Sequence, residues 1–424
     1  MEFKEISLDD IVESYIDNRG KTCPTVEEED SYLPLIATNC ITDDLYPTFK
    51  KVRHVNKETY DNWFRGHPQA NDIIFVNKGT PGGTALVPEK VNFCFAQDMV
   101  GLRIKKEYDP KYIFAVLRSS LIRQRIESMQ VGTMIPHFKK GDFKKLNLPI
   151  ALNNRFQKEV GRIHYNILDK IKINKSTIEN LEHLGQTLFK QWIVDFEFLN
   201  NNDEPYQSSG GKMEDSDLGL IPVGWEVKSL DEIANYQNGL AMQKFRPLGD
   251  AESLPVLKIK ELNQGYVDNN SDRCSLDIKE PVKVYDGDVI FSWSGTLLTK
   301  LWVGGNAGLN QHLFKVTSNQ FPKWFYYFWT KYHLNNFIAI AADKATTMGH
   351  IKKSHLTASK VIIPDSSRLK DFSVVMELIV EEIISKGIEI KKLKELRDTL
   401  IPKLLSGNID MSSQKEVNDH VSIS

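Results

Sequence analysis

Apolar residues recur every three or four positions along two long stretches of this chain, which is the spacing of one face of an α-helix. The pattern predicts a first spacer helix over residues 153–199 and a second over residues 367–407. Matching apolar positions lie 212 residues apart, and both stripes take two successive steps of four before a polar residue, Asn174 or Lys386. An irregularity shared in register indicates an internal duplication rather than two unrelated helices.

Helices with equal apolar spacing are expected to pair with each other as a coiled coil. We predict an antiparallel pair, with Asn174 and Lys386 at seam positions that set the register and lower stability. The residues predicted to pair lie on one apolar stripe of each helix: Ile163, Ile167, Ile171, Ile178, Leu181, Leu188, Ile379, Ile383, Ile390, Leu393 and Leu400.

Strand-like segments repeat in the same order as the helices. A short apolar strand followed by a Gly-Thr turn occupies residues 72–80 and again residues 288–296, 216 residues later. Further matched blocks are Leu8–Ile11 with Leu230–Ile233, Gln97 with Gln311, Pro110 with Pro322, and Thr133–Lys140 with Thr346–Lys353. A period of about 210 residues is that of a duplicated domain with its helix, not of a solenoid repeat.

The predicted fold class is α+β, with two similar strand-rich domains joined by two long antiparallel coiled-coil helices and related by a pseudo-twofold internal repeat. A polar, acidic stretch rich in Gly and Ser separates the halves and predicts a flexible linker. The predicted segments are domain 1 over 1–152, spacer helix 1 over 153–199, the acidic linker over 200–222, domain 2 over 223–366, spacer helix 2 over 367–407, and a polar tail over 408–424.

Composition adds few constraints. A chain of 424 residues with 41% hydrophobic and 26% charged residues suits two to four globular domains. Four scattered cysteines predict reduced thiols and neither a structural zinc nor a disulfide framework. The N-terminus has no apolar signal region and no stretch is long enough to span a membrane, so we expect a cytoplasmic protein.

Charge is uneven although the net charge is only −2. Residues 101–145 contain eleven Lys and Arg against four acids, a local excess of seven positive charges. This segment fits either a surface for backbone phosphates or an ordinary solvated helix face.

Two similar heads on paired helices suit the reading of two sites on duplex DNA. In each half, a turn after the matched strand and a lysine pair after a histidine are candidate contacts, with lysines binding phosphates and loop side chains reading base edges. The alternative is that the histidines and lysines only stabilise a turn. The predicted DNA-binding residues are Lys78, Gly79, Thr80, His137, Lys139, Lys140, Ser294, Gly295, Thr296, His350, Lys352 and Lys353.

With these motifs the whole chain resembles the specificity subunit of a type I restriction-modification enzyme. The motifs that carry the resemblance are the two Gly-Thr turns, Gly308–Phe314, residues 347–353 before a strand ending in Pro364, and Leu396–Gly407 at the end of the second helix. The first half matches less closely, since Cys94–Asp98 and Trp192–Phe196 replace the corresponding motifs.

The resemblance implies two target-recognition domains, each followed by a spacer helix, that read the two parts of a bipartite, asymmetric DNA site. It implies a complex with two methylation subunits, which bind S-adenosylmethionine, and two restriction subunits, which use ATP and Mg²⁺. No cofactor or metal is expected on this chain itself.

Catalytic motifs are missing from the sequence. There is no Pro-Pro, which an adenine methyltransferase motif requires, and no phosphate-binding loop with a terminal Lys-Ser or Lys-Thr. We therefore predict that the chain is not an enzyme on its own. Two other interpretations stay open: a two-headed adaptor that binds proteins, and a complex that methylates DNA without a restriction subunit.

Overall fold

The computed structural model describes residues 2–18, 20–130, 136–249, 252–342 and 349–409. The chain divides into two compact units. Unit 1 contains the residues up to Ile173 and those from Lys392 onward, and unit 2 contains Asn174–Lys391. Each unit therefore combines one strand-rich head with one part of each long helix.

Head 1, in unit 1, is built on a four-stranded antiparallel sheet of order β2-β8-β5-β6 and a smaller mixed sheet of order β4-β3-β7. Strands β1 and β9 form a separate antiparallel pair. The strands are β1 Phe3–Ser7, β2 Val12–Ile16, β3 Leu33–Ile36, β4 Arg53–Val55, β5 Ile73–Val76, β6 Thr84–Leu86, β7 Cys94–Phe95, β8 Met99–Ile104 and β9 Asn147–Ala151. The helices are α1 Leu8–Ile11, α2 Lys57–Asn62, α3 Pro110–Leu117 and α4 Ser120–Met129.

Head 2, in unit 2, has a four-stranded antiparallel sheet of order β13-β20-β17-β18, a mixed sheet of order β15-β14-β19-β16, and the pair β12-β21. The strands of unit 2 are β10 Met213–Ser216, β11 Gly219–Pro222, β12 Glu226–Ser229, β13 Asn235–Asn238, β14 Ser253–Leu257, β15 Arg273–Ser275, β16 Lys283–Val284, β17 Val289–Ser292, β18 Leu298–Leu301, β19 Ala307–Leu309, β20 Leu313–Thr317 and β21 Lys360–Ile363. Its helices are α6 Leu230–Ile233, α7 Ile259–Gln264, α8 Lys323–Tyr332, α9 Leu334–Ala342 and α10 Lys353–Ala358.

The two heads repeat each other sheet by sheet. The order β2-β8-β5-β6 in head 1 corresponds to β13-β20-β17-β18 in head 2, and the pair β1-β9 corresponds to β12-β21. In both mixed sheets, β3 and β14 each have one antiparallel and one parallel neighbour. The predicted α+β class and internal repeat are thereby confirmed.

Two long helices carry the apolar stripes. Helix α5 spans Asn154–Phe189 and continues as a π-helical turn over Lys190–Val194, and helix α11 spans Ser366–Leu405, running through Pro402. In unit 2, the Trp192 ring beyond the end of α5 stacks on Phe372 near the start of α11, with ring centroids 5.1 Å apart. In unit 1, Arg397 near the end of α11 acts electrostatically on His164 near the start of α5. Because each helix end meets the start of the other helix, the two helices are antiparallel, as predicted.

All eleven predicted pairing residues are at least partly buried within their own unit. Ile167, Ile171, Ile379 and Ile383 are buried, and the other predicted pairing residues are intermediate. A further position that the 212-residue offset assigns to the second stripe is wrong: Val375 is 40% exposed, and the neighbouring Met376 is completely buried instead. The 212-residue offset matches positions in the sequence, but it does not determine which side of α11 faces the core.

The two polar seam positions behave differently. Asn174 is 1% exposed, and neither of its amide atoms has a hydrogen-bond partner among the described residues. Lys386 is partly exposed and forms ion pairs with Glu382 and Glu389 of its own helix, each at 3.3 Å. Asn174 is thus the buried polar group that lowers stability, whereas the predicted register role of Lys386 is not supported by these contacts.

Each head packs against the part of helix α5 that lies in its own unit. In unit 2, a Cβ atom on Gly185 of α5 would lie 2.4 Å from the Phe328 ring of α8, so glycine permits this close approach. In unit 1, a Cβ on Gly161 would lie 2.7 Å from the Tyr112 backbone nitrogen of α3. The aromatic residues Trp324–Trp329 of α8 are buried in the same core as the end of α5, so their role is packing.

Residues 200–222 differ from the predicted flexible linker. Strands β10 and β11 form an antiparallel hairpin in this segment. The Tyr206 ring stacks on Phe198 with centroids 4.7 Å apart, and its hydroxyl donates a hydrogen bond to the Lys212 carbonyl. Regular structure therefore replaces the flexible linker, because local hydrogen bonds and an aromatic stack offset the polar composition. Most of the predicted tail lies outside the described residues.

The four cysteines are buried and unpaired. Within the described part of the chain, no helix is both long enough and apolar enough to cross a membrane.

His164 supplies a pH-dependent contribution to the stability of unit 1. It is buried beside Phe114, and burial together with the positive charges of Arg118 and Arg397 lowers the pKa of His164 to about 3. Below pH about 6.5 the unfolded chain binds a proton that the folded chain does not, so stability falls as the pH drops toward 3. We expect His164→Leu to remove about 2 kcal/mol of the stability difference between pH 7 and pH 5, measured by urea denaturation.

His183→Leu, which replaces an exposed histidine of the same helix, is the matched control and should keep the wild-type pH dependence. Equal pH dependence in the wild type and His164→Leu would contradict this assignment.

Candidate nucleic-acid interface

In head 1, the two predicted contact segments lie side by side. Lys78, just after β5, forms an isolated antiparallel bridge with His137. The Gly79 amide donates to the Pro136 carbonyl at 3.0 Å, and the Phe138 amide donates to the Asn77 carbonyl at 2.7 Å. Segments that are almost 60 residues apart in sequence therefore form one surface, which we call edge 1.

Head 2 repeats this arrangement. Ser294 forms the corresponding bridge with His350. The Gly295 amide donates to the Gly349 carbonyl at 3.0 Å, and the Ile351 amide donates to the Trp293 carbonyl at 3.1 Å. This surface is edge 2, and its backbone hydrogen bonds follow the same pattern as those of edge 1.

A third segment completes each edge and was not among the predicted contacts. The Asn77 amide donates to the Asp98 carbonyl at 2.8 Å, which places residues 97 and 98 beside the turn of edge 1. In edge 2 the Trp293 amide and the His312 carbonyl are 3.4 Å apart. The match between Gln97 and Gln311 is the sequence signal that indicates this segment.

A matched aspartate anchors the strand that leads to each turn. The Asp72 carboxylate accepts hydrogen bonds from Arg103 of β8 at 2.8 and 3.0 Å. In head 2, Asp288 lies 2.8 Å from Lys315 of β20. Both aspartates also accept a backbone amide, from Gln69 and Tyr285 respectively. These contacts give the aspartates a structural role, because they hold neighbouring strands in register behind the edge.

The glycine of each turn is required by backbone geometry. Gly79 has φ +89° and Gly295 has φ +64°. This left-handed region is accessible to glycine at little cost. The exposed residues beside them, Lys78, Thr80 and Thr296, are the side chains that these turns present.

The predicted lysines lie on the same edges. Lys139, Lys352 and Lys353 are exposed. Lys140 is exposed too, but its ammonium lies 3.2 Å from the Asp17 carboxylate and 5.3 Å from the centre of the Tyr15 ring. Binding of a phosphate by Lys140 therefore competes with its ion pair to Asp17.

The basic segment 101–145 does not form one unpaired cationic face. Of its eleven basic residues, six form ion pairs with carboxylates of unit 1: Arg103, Arg118, Arg123, Arg125, Lys140 and Lys145. The Arg118 side chain is only 6% exposed. The excess of positive charge seen in sequence is thus largely used inside head 1.

A cleft adjoins each edge. In head 1 a cleft of about 660 Å³ is bordered by the turn from Gly79 to Thr84 and by Arg118 and Arg123. In head 2 a cleft of about 600 Å³ is bordered by Gln311, His312 and three basic side chains, Arg246, Lys258 and Arg273. In head 2, basic side chains beside amide and imidazole groups suit a ligand with both phosphates and base edges. In head 1, Arg118 and Arg123 are already paired with Asp43, which also borders the cleft.

The family described as "Type I restriction modification DNA specificity domain" matches residues 1–183 and 222–390, one match for each half of the repeat. The chain belongs to this family.

Comparison over most of the chain also finds relatives that are named specificity subunits. The MjaIX specificity subunit of Methanocaldococcus jannaschii is 26% identical over 309 residues, which cover 70% of this chain and 69% of the relative. The HindI specificity subunit of Haemophilus influenzae is 20% identical over 362 residues, which cover 71% of this chain and 77% of the relative. Relatives named as specificity subunits agree with the prediction that this chain is not itself the enzyme.

The fold of the specificity family is also seen in a solved structure. The S subunit of a type I restriction-modification system from M. genitalium has a TM-score of 0.54 and 16% identity, with 95% of this chain and 96% of that chain covered. The comparison supports the two-headed α+β fold.

A substitution at Asn77 can test what holds the two segments of edge 1 together. Its buried side chain donates to the Phe138 carbonyl at 3.1 Å. We expect Asn77→Ala to cost about 1–3 kcal/mol of stability and to speed amide exchange at Phe138. Asn92→Ala, at an exposed position, should change neither quantity; unchanged exchange at Phe138 in Asn77→Ala would contradict the proposed linkage.

Proposed function

We propose that this chain is the DNA sequence-specificity subunit of a type I restriction-modification complex, and that each head reads one half of a bipartite, asymmetric site. The observation that carries this proposal is the pair of edges, which share one backbone arrangement in two heads. Duplicated edges in one chain allow two half-sites to be read by one molecule.

Asymmetry of the site follows from the side chains on the edges. Lys78 in edge 1 corresponds to Ser294 in edge 2, and Asp98 corresponds to His312. A carboxylate and an imidazole offer different hydrogen-bonding groups to a base pair. The exposed Lys78 has no exposed counterpart in edge 2, because Ser294 is 5% exposed and its hydroxyl lies 3.1 Å from His312 Nδ1. Two identical half-sites would therefore not suit both heads.

Partner subunits supply the chemistry in this proposal. The chain assembles with two methylation subunits, which hold S-adenosylmethionine, and two restriction subunits, which use ATP and Mg²⁺, in the cytoplasm. The chain positions them on DNA and has no catalytic role of its own.

Helix α11 offers a surface for a methylation subunit. Val374 and Leu378 are 66% and 63% exposed and lie one helical turn apart, so they form an apolar stripe on the surface of unit 2. Exposed apolar side chains at this spacing suit docking of a partner helix.

Methylome sequencing of cells with and without this chain tests the function directly. Loss of a split adenine-methylation motif on deletion supports the proposal, and cleavage of unmodified DNA separates a restriction complex from one that only methylates. Retention of every methylated motif, together with no DNA binding at low salt, would favour the two-headed protein adaptor.

The lysine pair of edge 1 tests the phosphate-binding role. Replacing Lys139 and Lys140 together by alanine should weaken binding across all DNA sequences and reduce the slope of log K against log salt by about 1 for each phosphate that the variant no longer neutralises. Titrations of duplex DNA at several salt concentrations measure this slope. Lys4→Ala with Lys158→Ala, at exposed positions on β1 and α5, is the control; an unchanged slope in the Lys139 and Lys140 variant would remove the assignment.

The apolar stripe on α11 generates a separate prediction. Val374→Ser with Leu378→Ser should reduce co-purification of the methylation subunit while DNA binding by the chain stays unchanged, because the variant has less apolar surface to bury against a partner. Leu218→Ser with Leu220→Ser, at exposed apolar positions of the hairpin, is the matched control. Equal loss of the methylation subunit in both variants would contradict docking at Val374 and Leu378.

A further inference from the structure

The residue pair at 97–98 in edge 1 and at 311–312 in edge 2 continues a strand ladder beyond its last paired residues. The last paired residues of the ladders are Val76 with Met99 and Ser292 with Leu313. Residues 97–98 and 311–312 therefore stand directly beside the Gly-Thr turns, where the sheets end.

The pair in head 1 shows an unusual backbone. Gln97 has φ +65°, a left-handed conformation that is uncommon for a residue other than glycine. Its side-chain oxygen accepts a hydrogen bond from Arg53 at 3.3 Å, and Asp98 beside it is exposed. A sparsely populated backbone conformation held by the surrounding fold is a common property of ligand-contacting positions.

The pair in head 2 is held by several contacts. The His312 Nδ1 atom lies 3.1 Å from the Ser294 hydroxyl, and the His312 amide donates to the Asn310 side chain at 3.3 Å. The Gln311 side-chain nitrogen lies 3.3 Å from His312 Nε2. Both side chains border the cleft that also contains Arg246 and Arg273. The imidazole is therefore oriented before any ligand arrives.

The second member of each pair differs in chemistry, although the backbone position is the same. We propose, on the basis of the proposed function, that residues 98 and 312 are matched base-selecting positions, and that Asp98 selects cytosine in the half-site read by head 1. Glutamine precedes both residues, so the difference between the heads at this position lies in the carboxylate of Asp98 and the imidazole of His312.

The choice of cytosine follows from hydrogen-bonding groups in the major groove. A carboxylate only accepts hydrogen bonds, and cytosine presents the N4 amino donor. Guanine and thymine present acceptors that repel a carboxylate, and adenine places its N7 acceptor next to its amino group. Lys78 on the adjacent turn and Arg53, which donates a hydrogen bond to Gln97, add positive charge to edge 1, which offsets repulsion between Asp98 and the DNA phosphates.

Selection from a random duplex DNA library by the full-length chain tests this inference. The wild type should enrich a split motif with cytosine at one position of one half-site. Asp98→Asn should lower the preference for cytosine over adenine at that position by about tenfold, because asparagine pairs well with adenine. His312→Asp should introduce a preference for cytosine at the matched position of the other half-site.

Two controls separate base selection from general damage. Asp98→Glu keeps the carboxylate and should keep cytosine, and Asp30→Asn, at an exposed aspartate elsewhere in head 1, should leave the whole motif unchanged. The half-site of the unmodified head serves as an internal reference in each variant.

The outcomes distinguish this inference from the proposed function. A split wild-type motif that is unchanged in both Asp98→Asn and His312→Asp overturns the base-selecting role and leaves the function in place. A wild-type chain that enriches no motif overturns the function, and with it the inference.

Discussion

The rest of this structure depends on apolar helix surfaces that are buried against both the other helix and a head. In unit 2, Phe372, Met376, Ile379 and Ile383 of α11 share one core with the end of α5 and with head 2. Each such side chain contributes about 1.5–3 kcal/mol when buried, which together exceeds the roughly 1–3 kcal/mol lost through the unpartnered amide of Asn174. Head 2 is consequently packed against the helices through a shared core, and is not joined to them only by flexible chain.

The duplication shows which residues of the repeat have a structural role in both heads. Asp72 and Asp288 recur because each anchors a strand to its neighbour, and Gly79 and Gly295 recur because each turn needs a left-handed residue. The side chains between these fixed points are free to differ. The edges can therefore vary in sequence without disturbing the ladders behind them.

In this chain, local charge and composition predict the structure less reliably than position within the repeat does. Basic residues of segment 101–145 that suggested a broad phosphate-binding face instead form ion pairs within head 1, as Arg103 does with Asp72. Lys139, Lys352 and Lys353 stay exposed on the edges. In the segment 200–222, a polar and acidic composition coexists with an antiparallel hairpin, because backbone hydrogen bonds do not depend on apolar side chains.

By itself the sequence determined the duplication, the two long helices and the α+β class, because periodicity and internal repeats are properties of local order along the chain. It also located both turns and both lysine pairs. Only the tertiary structure placed Lys78 beside His137, added Gln97 and Asp98 to the same edge, and showed which lysines stay exposed. Pairing between distant strands and the choice of ion-pair partners depend on non-local packing, which no spacing rule along one chain specifies.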